Sequence, residues 1–174
     1  MGSVYVFDVD DTLINTTACI RAIDESGNVV FKAGTKVFNA PDSTERLLRP
    51  GLCWDFSEFE SLEQIMSEPT KPAFEYLRSL PAHSKIYIIT ARQRADMIQT
   101  WLLNNGVELP IDRVHCLDRT YAGSVAQWKG EVIKGIIRSH PYHKMVIFED
   151  DLNNINAMSE TCKLNDVPVA IMPV

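Results

Sequence analysis

Val4-Tyr5-Val6-Phe7-Asp8-Val9-Asp10-Asp11-Thr12-Leu13 decides how the rest of the chain is read. Val4 to Phe7 is a short apolar run containing β-branched residues, and it stops abruptly in carboxylates, so it reads as a buried strand entering a polar loop. Asp8 and Asp10 then stand at the C-terminal end of that strand, one residue apart, where both can point to the same side of the loop. Ile86-Tyr87-Ile88-Ile89 repeats the design and stops at Thr90-Ala91-Arg92. Met145-Val146-Ile147-Phe148 repeats it again and stops at Glu149-Asp150-Asp151.

Helical patterns separate these runs. Met97, Ile98, Trp101 and Leu102 fall on one face, closed by Asn105-Gly106 as a stop signal. Trp128, Val132, Ile133, Ile136 and Ile137 make a second face, Ile155, Met158 and Cys162 a third, and Pro168 to Met172 reads as a last strand. Alternating strands and helices predict an α/β fold: a Rossmann-like parallel sheet with helices on both faces, whose ligands bind beyond the carboxyl ends of the strands. All the polar stops fall on that edge.

Residues 15–69 break the rhythm. Ala18 to Ile23 and Val29 to Lys32, joined by Asp24-Glu25-Ser26-Gly27-Asn28, predict a β-hairpin, and Trp54, Phe56 and Phe59 lie close together further on. The stretch is read as an insertion after the first strand that forms a small flap or cap over the strand ends. At 174 residues the whole, 1–174, is expected to be one domain with this insertion inside it. No internal repeat is visible.

Composition narrows the function classes. A hydrophobic fraction of 45% with 23% charged residues fits a globular chain rather than a disordered one. The N-terminus lacks a basic segment and a long apolar run, so neither a leader peptide nor a spanning helix is expected, and the cytoplasm is the simplest location. Cys19, Cys53, Cys116 and Cys162 form no C-x-x-C pair and are read as reduced and mostly buried. The net charge of −6 opposes broad, sequence-independent binding to nucleic acid. His140 and His143 flank Pro141, which breaks the helix that would align them on a metal, so a surface loop is the expectation there.

The polar stops suit phosphoryl transfer. Asp8 can attack phosphorus, while Asp10 can protonate the departing oxygen and then activate water. Converging carboxylates would repel a phosphate dianion unless a cation sat among them, and Mg2+ suits all-oxygen ligands: Asp8, the backbone carbonyl of Asp10, and Asp150. Thr90 and the backbone at Ala91 can donate to a phosphoryl oxygen, and Lys129 can neutralise charge that develops in transfer. Arg92 is balanced between reaching a substrate phosphate or a neighbouring phosphodiester and a salt bridge to an acidic neighbour. Removal of Lys129 is expected to slow catalysis more than it weakens folding.

On these residues the chain resembles the haloacid dehalogenase superfamily. Val6 to Leu13 is similar to its first motif, Ile86 to Thr90 to its second, Lys129 in Trp128-Lys129-Gly130-Glu131 more loosely to its third, and Val146 to Asp151 to its fourth. The resemblance implies an aspartyl-phosphate intermediate on Asp8, acid/base work by Asp10, phosphate binding by Thr90, charge neutralisation by Lys129, and Mg2+ held with Asp150. It implies outer support from Glu149 or Asp151 and a cap inserted after the first motif. Asn154 stands where the family often has a second acidic residue, and Lys134 is the alternative to Lys129. The expected function is magnesium-dependent phosphomonoester hydrolysis, with a nucleotide or a polynucleotide terminal phosphate as the first candidate, since the insertion loosely resembles phage-type and nucleic-acid end-repair members. A sugar-phosphate phosphatase and a non-catalytic phosphate-binding protein are the alternatives.

Overall fold

The computed structural model describes residues 2–38, 51–141 and 143–174 and, of Lys36, the backbone. Residues 39–50 of the expected insertion lie outside the described residues. The chain divides into two compact units, residues 1–15 with 70–174, and residues 16–69.

The first unit is built on a five-stranded parallel sheet. Its strands are β1 (Ser3–Phe7), β5 (Lys85–Thr90), β6 (Val114–Cys116), β7 (Lys144–Phe148) and β8 (Val169–Met172), in the order β6-β5-β1-β7-β8. The first polar-ended strand is therefore flanked by the other two. Tyr5 pairs with Ile86 and Val146, and Phe7 with Ile88 and Phe148, so the three strands end level with one another. Period-two alternation sends Val4 and Val6 to one face and Tyr5 and Phe7 to the other.

Helices cover both faces, as the alternating pattern implied. On one, α5 (Val125–Ser139) and α6 (Leu152–Leu164) bring Ile133, Ile136, Ile137, Met158 and Cys162 against Val4, Val6, Ile89 and Ile147. On the other, α3 (Pro72–Ser79) sets Tyr76 against Tyr5 and Phe148, with ring centroids 6.2 and 5.2 Å apart. There α3 also sets Phe74 5.1 Å from Trp101 of α4 (Ala95–Asn104). At the Asn105-Gly106 stop, Gly106 has φ +79° and Val107 N–H donates to Leu102 O at 2.9 Å, a C-cap that needs a left-handed residue. Sequence patterns do not mark α3 or β6. Pro72 at the first position starts α3, while β6 has three residues and carries almost no periodicity.

The second unit contains an antiparallel sheet in the order β3-β2-β4, from β2 (Cys19–Ile23), β3 (Val29–Gly34) and β4 (Cys53–Asp55), with short helices α1 (Thr35–Phe38) and α2 (Leu62–Ser67). The hairpin turn is built as its residues imply: Asp24 accepts from the N–H groups of Ser26 and Asn28 at 2.9 and 2.8 Å, and Gly27 has φ +83°. Trp54 meets Phe38 edge-on at 5.0 Å, next to a small core of Ala18, Ile20 and Phe59. In the first unit, the two chain segments that flank the insertion run side by side, because Ile14 bridges Thr70 and Lys71 N–H donates to Leu13 O at 2.8 Å.

Two expectations change. All four thiols are free, yet only Cys162 is fully buried and Cys53 is exposed, since Cys53 begins a three-residue strand. His140 and His143 are half-buried rather than loop-exposed. Lys85 Nζ lies 2.8 Å from His143 Nε2 and 3.4 Å from His140 Nδ1, and Tyr87 Oη lies 2.8 Å from His140 Nε2. No helix among the described residues is long and apolar enough to cross a membrane.

The histidines make stability pH-dependent. Burial, then Lys85, His143 and Arg113, holds His140 below its usual value, and burial holds His115 below its own against the pull of Asp112. A base depressed in the folded state binds protons more readily unfolded, so its stabilising effect is complete above the ordinary value near 6.5 and is lost as pH falls below it. Urea midpoints should therefore drop between about pH 7.5 and 5.5, and His140→Gln should reduce the drop. An equal drop in parent and variant would refute this origin.

Candidate active site

The loop after β1 is held by bonds to the neighbouring strand end and by a tight turn of its own. Asp8 N–H donates to Phe148 O at 3.0 Å, tying the end of β1 to the end of β7. Val9 O then accepts from Thr12, Leu13 and Ile14 at 3.3, 2.9 and 3.2 Å. To close so tightly the chain passes through Asp11 at φ +57°, a left-handed conformation that Asp tolerates better than most residues. Lys71 Nζ donates to Asp11 O at 2.5 Å and pins the turn from outside.

The carboxylates converge around one lysine. A capping box starts α5: Gln127 N–H donates to Ser124 Oγ at 3.2 Å and Ser124 N–H to Gln127 Oε1 at 2.9 Å. That start puts Lys129 in the second turn, facing the sheet, with 1% of its surface exposed. Its Nζ lies 2.7 Å from Asp8 Oδ1 and 2.6 Å from Glu149 Oε2. One carboxylate oxygen each from Asp8, Glu149 and Asp150 lie within 4.8 Å of one another. Glu149, expected only as outer support, is thus a central member; it also accepts from Asn154 Nδ2 at 3.1 Å. Asp151 instead caps α6, accepting from Asn153 and Asn154 N–H at 2.8 and 3.1 Å. Lys134 is exposed on the far side of α5.

Asp10 is engaged elsewhere. Arg92, 2% exposed, donates Nε to Asp10 Oδ2 at 3.0 Å and Nη2 to Oδ1 at 2.7 Å. Of the two expectations for Arg92, the salt bridge to an acidic neighbour is the one present, and it fixes where the Asp10 carboxylate points. Thr90 is fully buried at the end of β5, and its hydroxyl oxygen accepts from Arg92 N–H at 3.2 Å, which leaves the hydroxyl proton available. Ala91 between them is exposed. Thr12, quoted in the first motif without a role, is buried and places Oγ1 3.5 Å from Asp150 Oδ1. No apolar periodicity marks Lys71 or Thr12, so only the folded turn reveals them.

The charge balance is unequal. Burial, with Glu149 and Asp10 adding and Lys129 opposing, holds Asp8 well above the usual carboxylate range. Burial, with Glu149 and Asp11, pushes Asp150 up to about 6. Burial draws the Lys129 ammonium down, but the Asp8 and Glu149 carboxylates outweigh it and hold it above its ordinary value. Among the described residues three carboxylates cluster around a single ammonium, so the group carries an excess of negative charge that a divalent cation would offset. Its all-oxygen donor set fits Mg2+.

Compared with protein-family models, curated proteins and solved structures, the chain matches none.

Lys129 is buried between two carboxylates, so its loss is expected to weaken folding measurably. Removing one partner leaves buried carboxylates uncompensated, a loss of about 3–5 kcal/mol. Denaturant titration of Lys129→Ala should show that loss, against a change within about 0.5 kcal/mol for exposed Lys134→Ala. Equal stability of the two variants would disprove the burial argument.

Proposed function

We propose that the chain hydrolyses phosphomonoesters by carrying the phosphoryl group on Asp8. The observation that carries this reading is the convergence of Lys129, Glu149 and Asp150 on Asp8 at the ends of adjacent strands. The resemblance of the four motifs to the haloacid dehalogenase superfamily supports it. Asp8, Glu149 and Asp150 would hold Mg2+, which when bound supplies positive charge to the phosphate and to the group that leaves it.

In this reading an Asp8 oxygen attacks phosphorus as the bond from phosphorus to the ester oxygen breaks, and the departing alkoxide takes a proton from Asp10. Asp10 then accepts a proton from water as that water attacks the phosphorus. The acyl phosphate is cleaved, and Asp8 and inorganic phosphate are released. Arg92 positions Asp10 for both transfers. Thr90 Oγ1 and the N–H of Ala91 receive the phosphoryl oxygens, while Lys129 keeps Asp8 aimed and offsets charge as it shifts. The inserted unit, which begins just after the Asp8–Leu13 loop, acts as the cap that selects substrate.

The test is turnover of an aryl phosphate. Activity should vanish with chelator and return with Mg2+, and undiminished turnover in metal-free protein would rule out the metal. Asp8→Asn should abolish turnover and the phosphoprotein formed in acid-quenched reactions. Asp10→Asn should slow turnover by about 10²–10⁴ while leaving a nucleophile to be labelled. Substantial activity in the Asp8 variant would mean that another group attacks.

A further inference from the structure

Lys71 stands just after the insertion, at the start of the chain's return to the first unit, and the phosphoryl chemistry above gives it no part. Its backbone is fixed by its neighbours. Pro72 disfavours the helical region for the residue before it, and Lys71 is accordingly extended, at φ −100° and ψ 166°, as the N-cap of α3. Phe74 N–H donates to Lys71 O at 2.9 Å, and Ala73, Phe74 and Leu77 are buried, so α3 carries its N-cap on a packed support.

From that support Lys71 grips the loop after β1 twice. Its N–H donates to Leu13 O at 2.8 Å and its Nζ to Asp11 O at 2.5 Å. The second carbonyl belongs to the left-handed residue of the turn, at φ +57°. A residue with a Cβ resists that conformation, and a hydrogen bond from an ammonium is of the stronger kind that can hold it there. The conformation of Asp11 in turn sets the direction of the chain on both sides, at Asp10 before it and at Thr12 after it. Thr12 Oγ1 lies 3.5 Å from Asp150 Oδ1, too long a contact to hold the turn in place of Lys71.

We infer that Lys71 is a positioning residue for Asp10, holding it through the backbone of the turn while Arg92 holds its carboxylate. The inference rests on the proposed function, in which Asp10 gives and then takes the proton. Asp8 depends less on the turn, because its N–H is tied to Phe148 O at 3.0 Å and its carboxylate to Lys129 at 2.7 Å. Asp10 lies inside the turn, next to Asp11, and its side chain is 17% exposed. Arg92 grips it from the neighbouring strand end, at 3.0 Å through Nε and 2.7 Å through Nη2. If the turn relaxes, the Asp10 carboxylate must either leave that guanidinium or pull against it. A proton donor works only within hydrogen-bond reach of the departing oxygen, and a misplacement of about 1 Å can slow a reaction on the order of 10²-fold.

The experiment uses Lys71→Met, which keeps the length of the side chain and removes its donor, and measures kcat/KM for phenyl phosphate and for nitrophenyl phosphate. Nitrophenolate departs without a proton whereas phenolate gains from one, so displacement of Asp10 should cost phenyl phosphate about tenfold more. In an Asp10→Asn background the Lys71→Met change should leave the ratio of the two substrates where Asp10→Asn alone sets it. A second readout needs no turnover. The pair with Asp10 slows exchange of Arg92 Nε–H with solvent, and in Lys71→Met that exchange should quicken about tenfold relative to Trp101 Nε1–H in the core. Equal losses on the two substrates, a further change of their ratio in the Asp10→Asn background, or an exchange ratio that does not rise would overturn the inference, since Lys71 would then support the fold alone. If the parent protein turns over neither ester, the proposed function fails, and the exchange ratio still decides whether Lys71 places Asp10.

Discussion

Lys129 holding Asp8 on one side and Glu149 on the other is the contact on which the site depends. It joins the ends of β1 and β7 to α5, so that the first strand meets two consecutive elements from late in the chain at one ammonium. The capping box at Ser124 sets the phase of α5, the phase turns Lys129 inward, and the inward ammonium permits two carboxylates to be buried beside each other. Local helix chemistry thus decides the electrostatics of a site whose first carboxylate is 121 residues away in sequence.

Such a cluster is a poor way to stabilise a fold. Burying charge is costly even when it is paired, and apolar residues of similar volume are often as stable or more so. Here the pairing is incomplete, with three carboxylates against one ammonium among the described residues, and two of the carboxyls are pushed upward as a result. Perturbed groups concentrated at the carboxyl ends of parallel strands are what a site for an anion and a cation together would require. The hydroxyl of Thr90 and the carboxylate of Asp10, aimed by Arg92, stand at the same edge and add a donor and an acceptor to it.

Much of this was legible before folding because it follows from simple alternation. A parallel strand covered on both faces must be apolar throughout, so an abrupt change to Asp, Thr or Glu marks its end, and three such changes locate one sheet edge. The faces of α4, α5 and α6 were legible for a similar reason, as was the hairpin, whose Asp24-to-Asn28 turn carries its own hydrogen bonds. The central place of Glu149 was not. Neighbouring carboxylates in sequence look alike, and only the turn after Phe148 shows that Glu149 points to Lys129 while Asp151 turns to the N–H groups of α6. The role of Lys71 is hidden likewise, because a lysine bonded to a backbone carbonyl follows no periodic rule.

The turn at Asp8–Ile14 explains why the site can be rigid while lying at an edge. Three N–H groups share the single Val9 carbonyl, Asp11 takes a left-handed conformation, and Lys71 closes over its carbonyl. Each feature alone is weak, but together they leave the loop few alternatives, so the carboxylate at Asp8 is held by its backbone as well as by Lys129. Asp10 is fixed instead by Arg92 from the neighbouring strand end. The two acids of the first motif are therefore positioned by different elements. Asp8 is thus buried beside Lys129 while Asp10, partly exposed, is held independently by Arg92.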